Sequence, residues 1–307
     1  MNNLIAVTIG DINGIGIHIL INAWKRKKIN NFILICNIKI IKNFLKNNNY
    51  KLQLNIFEGD FKKTNFNKNK LNIFSFNCSS LEDNTYKSLK YSYQMCINKI
   101  CIGLINLPIR KDLIINKINK NFIGQTEFYQ KIDKKNYSNM ILYHNKIIIT
   151  PLTTHIKVKN ISKNISKKLI INQIINLFNT LKIDFNISNP KLIISGLNPH
   201  AGENGNLGNE ERDIIIPSII KLNKMGVNID GPKSADSMLI QKNIRKYDCF
   251  VFIFHDQALI PFKYISQFSG VNYTGNLNII RTSPDHGTGY DLVNQRNISD
   301  KSFINCF

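Results

Sequence analysis

Three of the chain's six histidines share one setting. His155 follows a β-type run in TPLTTHIKV. His200 stands in GLNPHAGENGNLGNEE (residues 196–211), and His255 comes directly after CFVFIF. Each lies at or beyond the carboxyl end of an apolar, strand-like run, where open α/β sheets gather their ligands. Imidazole is the commonest protein ligand for divalent metals, and three of them leave a coordination position for a substrate oxygen. Asp256, beside His255, and Asp236, in GPKSADS, are candidates for further ligands or for proton transfer. No local spacing of the H-E-x-x-H kind ties these residues together. The pattern therefore fits a metal set, and equally a group of hydrogen-bonded loop residues.

A second constellation suits an anion. Lys263, Asn272 and Arg281 recur at even spacing, and a lysine point charge with a bidentate arginine fork suits phosphate or carboxylate. Lys263 is one of many lysines. Arg281 stands out in a lysine-biased chain, behind an apolar pair. The stretch GQTE (residues 124–127) predicts a helix start, with Gln125 and Thr126 at its mouth, Thr126 as N-cap and open amides for an anion. Two glycine-rich loops follow apolar runs: GDINGIG, with Gly10, Asp11 and Gly14, and DHGTGYDL, with Asp285, His286 and Gly287. Either suits close approach of a cofactor or serves as a plain turn. Neither is the G-x-G-x-x-G dinucleotide fingerprint with its following acid. His18 and His144 have no polar company in the sequence and read as structural.

The elements that must position these residues alternate. LIAVTI, FILIC, ICIGLI, MILYH, IIIT, KLIIS and CFVFIF are strand candidates. Helix-type patterns lie between them in GIHILINAWKRKK, SKKLIINQIINLFNTLK and NEERDIIIPSIIKLNKM. Continuous apolar strands separated by helices predict an α/β fold with largely parallel sheets covered on both faces. A chain of 307 residues has room for two lobes. The polar stretch from about Lys62 to Lys70 reads as a surface loop, and no Pro/Gly-rich linker marks a domain boundary.

Composition narrows the function classes. The formal net charge of +21 would ordinarily suggest nucleic acid. The lysines, however, are scattered among asparagines and isoleucines along the whole chain, which predicts a solvated basic surface and no nucleic-acid partner. No apolar run is long enough to span a bilayer, and the first residues lack a basic n-region, so neither membrane nor secretion signal is expected. Six cysteines without C-x-x-C spacing read as reduced core residues of a cytoplasmic protein.

Taken together, TIGDINGIGIHI, INLPIRKD, GQTEF, TTH, GLNPHAGENGNLGNEE, GPKSADS, HDQALIPFK, GVNYT and IIRTSPDHGT resemble the 4-hydroxythreonine-4-phosphate dehydrogenase family of pyridoxal 5'-phosphate biosynthesis. The segments occur in order through nearly the whole chain. The resemblance implies a two-lobed subunit related to isocitrate and isopropylmalate dehydrogenases, in a homodimer with the active site at the interface and metal ligands shared across it. It implies a first lobe over residues 1–125, completed by about 270–307, and a second over 126–269.

It also places the metal-binding histidines on His155, His200 and His255, and the substrate-binding residues on Thr126, Lys263, Asn272 and Arg281. The implied reaction is NAD- or NADP-dependent oxidation of 4-phosphohydroxy-L-threonine at its 3-hydroxyl. Decarboxylation to 3-amino-2-oxopropyl phosphate follows, assisted by one divalent ion (Zn, Mg or Co). Lys263, Asp236 and Asp256 are the candidate catalytic groups.

Three departures stand out: Gln125 where the family usually has histidine, NLP (residues 106–108) where it has TGP, and a chain that stops at SFINCF, short of a full last helix. Gln125 leaves two rival readings open. One is a dehydrogenase of another phosphorylated hydroxy acid such as 4-phospho-D-threonate, and the other is a non-catalytic ligand-binding remnant.

Overall fold

The computed structural model describes residues 3–59, 66–293, 295 and 298–307. The expected surface loop at 62–70 thus falls partly outside the described residues. Its remainder, from Phe66 to Lys70, is coil and turn.

Twelve strands occur among the described residues: β1 (Ile5–Thr8), β2 (Phe32–Ile35), β3 (Leu54–Glu58), β4 (Leu71–Ser75), β5 (Gly103–Asn106), β6 (Asn139–His144), β7 (Ile147–Thr153), β8 (Leu192–Ser195), β9 (Ile229–Lys233), β10 (Cys249–Phe254), β11 (Val271–Gly275) and β12 (Ile280–Pro284). The chain divides into two compact units, Met1–Lys134 with Leu277–Phe307, and Lys135–Asn276. The helix Gln125–Ile132 stays with the first unit because Phe128 and Tyr129 pack into that unit's core. The unit limits lie at 134/135 and 276/277.

In the first unit the strands run β3-β4-β2-β1-β5-β12, every pair parallel. Their uninterrupted apolar runs follow from burial on both faces: β2 and β5 are buried at every position. The register sets Thr8 beside Asn106 and Arg281 beside Leu104, so chemistry-bearing side chains collect at one region of the sheet.

The second unit runs β11-β6-β7-β10-β8-β9 and is mixed. β7, β10, β8 and β9 are parallel, whereas β6 pairs antiparallel with both β7 and β11. The long helix Lys167–Ile183 shows why the sequence folds this way locally. Ser166 accepts the Leu169 amide at its start, and Ile170, Ile174, Leu177 and Leu181 form one fully buried stripe. Burying each such side chain contributes roughly 1.5–3 kcal/mol.

All six cysteines are free, and five of them are buried. No helix among the described residues is long and apolar enough to cross a membrane.

Candidate active site

In the first unit, Arg281 is 2% exposed and forms the centre of a polar cluster. Its Nε donates to Asn106 Oδ1 at 2.6 Å, Nη1 to Thr126 Oγ1 at 3.2 Å, and Nη2 to Gln125 Oε1 at 3.2 Å. The guanidinium carbon lies 5.9 Å from the centre of the Tyr129 ring. Asn106, Thr126 and Gln125 thus meet the guanidinium with uncharged oxygens. Burial drags the Arg281 pKa down to about 10, still charged at neutral pH. A cation kept in a core by neutral oxygens suits phosphate or carboxylate.

Thr126 is not the N-cap that the sequence suggests. Gly124 occupies that position, in extended backbone and without a side-chain cap, and Thr126 lies inside the first turn with its hydroxyl turned to Arg281. The Gln125 amide is spent twice, since its Nε2 donates to Leu107 O at 3.1 Å.

The two glycine-rich loops meet in this same unit. Ile15 N donates to Thr288 O at 2.9 Å, and the Tyr290 hydroxyl donates to Asp11 Oδ2. A Cβ on Gly14 would stand 2.7 Å from Thr288 O, and one on Gly10, at φ +65°, 2.6 Å from Pro108 O. Those two glycines thus serve close packing of backbone on backbone. Gly287 borders open space. Asp285 is buried and its amide donates to Ser302 Oγ, while His286 Nδ1 lies 2.9 Å from Gly287 O.

The second unit holds all three histidines of interest. β10 and β7 are parallel neighbours, and Thr153 Oγ1 donates to Ile253 O at 2.8 Å, tying their carboxyl ends together. That tie sets His155, two residues past β7, beside His255, the first residue of the helix His255–Ser266; their ring centroids are 5.9 Å apart. Both line a hollow of about 120 Å³ with Thr153, Phe254 and Asp256. Asp256 Oδ1 sits 2.7 Å from His255 Nδ1. A carboxylate on one ring nitrogen fixes the tautomer and leaves Nε2 for a ligand.

His200 is presented differently. From His200 to Asn204, five successive residues have left-handed backbone angles, with φ from 43° to 79°. Each non-glycine residue in that region costs roughly 1–2 kcal/mol, so something must hold the turn. Glu211 does so. It is 3% exposed, and its Oε1 accepts the amides of Leu197 and Asn198 at 2.7 and 2.9 Å. Its Oε2 accepts Asn198 Nδ2 at 2.9 Å, and a Cβ on Gly202 would come within 2.6 Å of that oxygen. The exposed Asp236 lies in the short turn Ala235–Ser237, which packs against the His200 loop.

Among the described residues, no three His, Cys, Asp or Glu side chains cluster to hold an ion within one chain. His155 and His255 supply two donors, and His200 forms no three-residue cluster with them among the described residues. Two imidazoles at this spacing, one backed by a carboxylate, fit an ion bound at about 2.0–2.1 Å from each donor nitrogen.

Lys263 follows on the same helix as His255, its Nζ 4.7 Å from the Phe268 ring centre, and burial pulls its pKa down to about 8. Asn272 lies on β11, and its Oδ1 is buried without a hydrogen-bond partner among the described residues.

His18 and His144 do have polar company: His18 Nδ1 lies 3.1 Å from the Tyr50 hydroxyl, and His144 meets Asn145 and Ser269. Sequence reasoning noted Asn106 only as part of the altered NLP turn and gave no role to Glu211 or Gln257. Gln257 bridges the ends of β8 and β10 through Ser195, Gly196 and Ile253. Its position in HDQ, beside the metal candidate, was the available signal.

The two-unit α/β architecture, as a fold, also occurs in solved dehydrogenases of the β-decarboxylating kind. The isocitrate dehydrogenase of Methylococcus capsulatus superposes with a TM-score of 0.50 at 9% identity, covering 99% of this chain and 83% of that one. The chain belongs to the family described as pyridoxal phosphate biosynthetic protein PdxA, whose model matches residues 28–307. It is 34% identical, over 97% of its length and 92% of the relative's, to the 4-hydroxythreonine-4-phosphate dehydrogenase of Wigglesworthia glossinidia brevipalpis. The crystal structure of the Klebsiella pneumoniae 4-hydroxythreonine-4-phosphate dehydrogenase aligns with a TM-score of 0.86 and 25% identity, covering 100% of this chain and 96% of that chain. Membership makes the chain an oxidoreductase and implies a nicotinamide cofactor.

Proposed function

We propose that this chain oxidises 4-phosphohydroxy-L-threonine at its 3-hydroxyl, with NAD or NADP as acceptor, and decarboxylates the product to 3-amino-2-oxopropyl phosphate. The observation that carries the reading is the buried, still charged Arg281 held by neutral oxygens, an anchor that a phosphorylated substrate satisfies.

Arg281 and Thr126 grip the anionic end, and the buried Oδ1 of Asn272 accepts a donor such as the substrate's amino group. Lys263, with a pKa near 8, holds its proton loosely enough to take the hydroxyl proton and to return one to the carbon that loses carbon dioxide. The balance closes: hydride leaves carbon for the cofactor, the oxygen proton goes to the base, the carboxylate leaves as carbon dioxide, and one proton comes back.

The two glycine-rich loops, with Asp285, His286 and the open edge at Gly287, are the proposed seat of the cofactor, which supplies the hydride acceptor. His155 and His255 of one subunit with the His200 of its dimer partner would hold a divalent ion, a Lewis acid for the hydroxyl and the ketone. Imidazole donors suit zinc or cobalt better than magnesium. Asp256 orients His255, and Asp236 is placed to assist proton transfer at the His200 loop.

The test is product analysis. Carbon dioxide and 3-amino-2-oxopropyl phosphate should form in equal amounts with reduced cofactor from 4-phosphohydroxy-L-threonine. Faster turnover of 4-phospho-D-threonate would reassign the substrate.

A further inference from the structure

Asn106 closes β5 with no surface exposure, and its amide is fully committed. Oδ1 accepts from Arg281 Nε at 2.6 Å; Nδ2 donates to the Tyr129 hydroxyl at 2.9 Å and to Thr8 Oγ1 at 3.2 Å. Only one orientation of the amide makes these bonds, because a flip would set two donors, Nδ2 and Nε, face to face. The partners are themselves fixed. Thr8 is the register neighbour of Asn106 on β1, and the Tyr129 hydroxyl lies 3.2 Å from Ser92 Oγ. At the other end of the guanidinium, Gln125 repeats the arrangement, with Nε2 tied to Leu107 O and Oε1 to Nη2. Two carboxamides thus clamp Arg281 at Nε and at Nη2.

We propose that Asn106 is a positioning residue for anion binding: it sets the plane in which Arg281 presents its guanidinium and affects the substrate only through Arg281. The proposal rests on the reading of Arg281 as the substrate's anion anchor. The neutrality of Asn106 is part of the role. A carboxylate of the same shape would pair with the guanidinium and compete with the substrate's own charge.

The experiment is a kinetic double-mutant cycle on the full chain, with 4-phosphohydroxy-L-threonine as probe. Asn106→Leu should raise KM about tenfold while lowering kcat less, the size of one charge-assisted hydrogen bond. Asn106→Asp should raise KM at least as far without lowering the melting temperature. In an Arg281→Lys background, Asn106→Leu should add less than about twofold. Independent, multiplying effects of the two substitutions would overturn the proposal. So would a fall in kcat and melting temperature at unchanged KM, the mark of a merely structural residue. Arg281→Lys with unaltered KM would remove the anchor reading itself, and this proposal with it. Should Asn106→Leu not fold, Tyr129→Phe removes only the hydroxyl that pins the amide. It should raise KM about threefold, and an unchanged KM overturns the proposal.

Discussion

Burial leaves Lys263 with a proton it holds weakly, and this has consequences for rate and for stability. With its pKa at about 8 against an ordinary value near 10.5, the folded chain releases that proton sooner than the unfolded chain does. Between those two pH values the unfolded state binds more protons, so this group's contribution to stability rises with pH through that window. Below about pH 8 the buried ammonium is a cost. Lys263→Met should therefore melt higher than the parent at neutral pH, and the gap should close toward pH 10, while turnover is lost. In the parent, kcat should climb with pH and level off past about 8. A kcat flat through that range would take the proton-transfer role from Lys263.

At this scale Arg281 was legible because arginine is scarce among lysines. Asn106 and Glu211 were not. An asparagine closing an apolar run, or a glutamate in a polar loop, shows no partner in the sequence until folding brings one from far along the chain: Asn106 meets Arg281 across 175 positions.

The element that most depends on its supports is the left-handed turn that carries His200. Ala201 sits there at φ 53°. Ala201→Gly should cost nothing or gain up to about 1 kcal/mol in a urea melt. The same change inside an ordinary helix costs about 1 kcal/mol, and a loss of that size at position 201 would contradict the strained geometry. Glu211→Gln keeps the shape but weakens the charge-assisted acceptance of Leu197 and Asn198 amides. It should lose about 1–3 kcal/mol of stability and reduce metal retained after dialysis.

The strands that the sequence revealed, β1, β2, β5, β6, β7, β8 and β10, are the ones filled with apolar side chains. Those it hid are β3, β4, β9, β11 and β12. β11 (VNYTG) and β12 (IRTSP) carry Asn272 and Arg281, and the polar residues that make them useful interrupt the apolar run that signals a strand. β9 (IDGPK) contains Gly-Pro, which reads as a turn.

For the whole molecule, the proposal to test is that His200 of a dimer partner completes the His155–His255 pair. Mixing subunits tests it. His200→Ala and His255→Ala chains should each be inactive alone. Unfolded, mixed and refolded together, they should recover about a quarter of parent activity, because half the dimers are mixed and each mixed dimer keeps one intact site. No recovery from well-folded mixed dimers would place all the ligands in one chain. The scattered lysines, by contrast, told little about the site beyond a favourable field for an anion.

The measurement that bears most directly on the account is cofactor reduction by the purified chain, given 4-phosphohydroxy-L-threonine, NAD or NADP and a divalent ion. The account predicts steady turnover that stops on chelation, returns with zinc or cobalt, and is absent in His255→Ala. A folded, metal-loaded chain that reduces neither cofactor would contradict it.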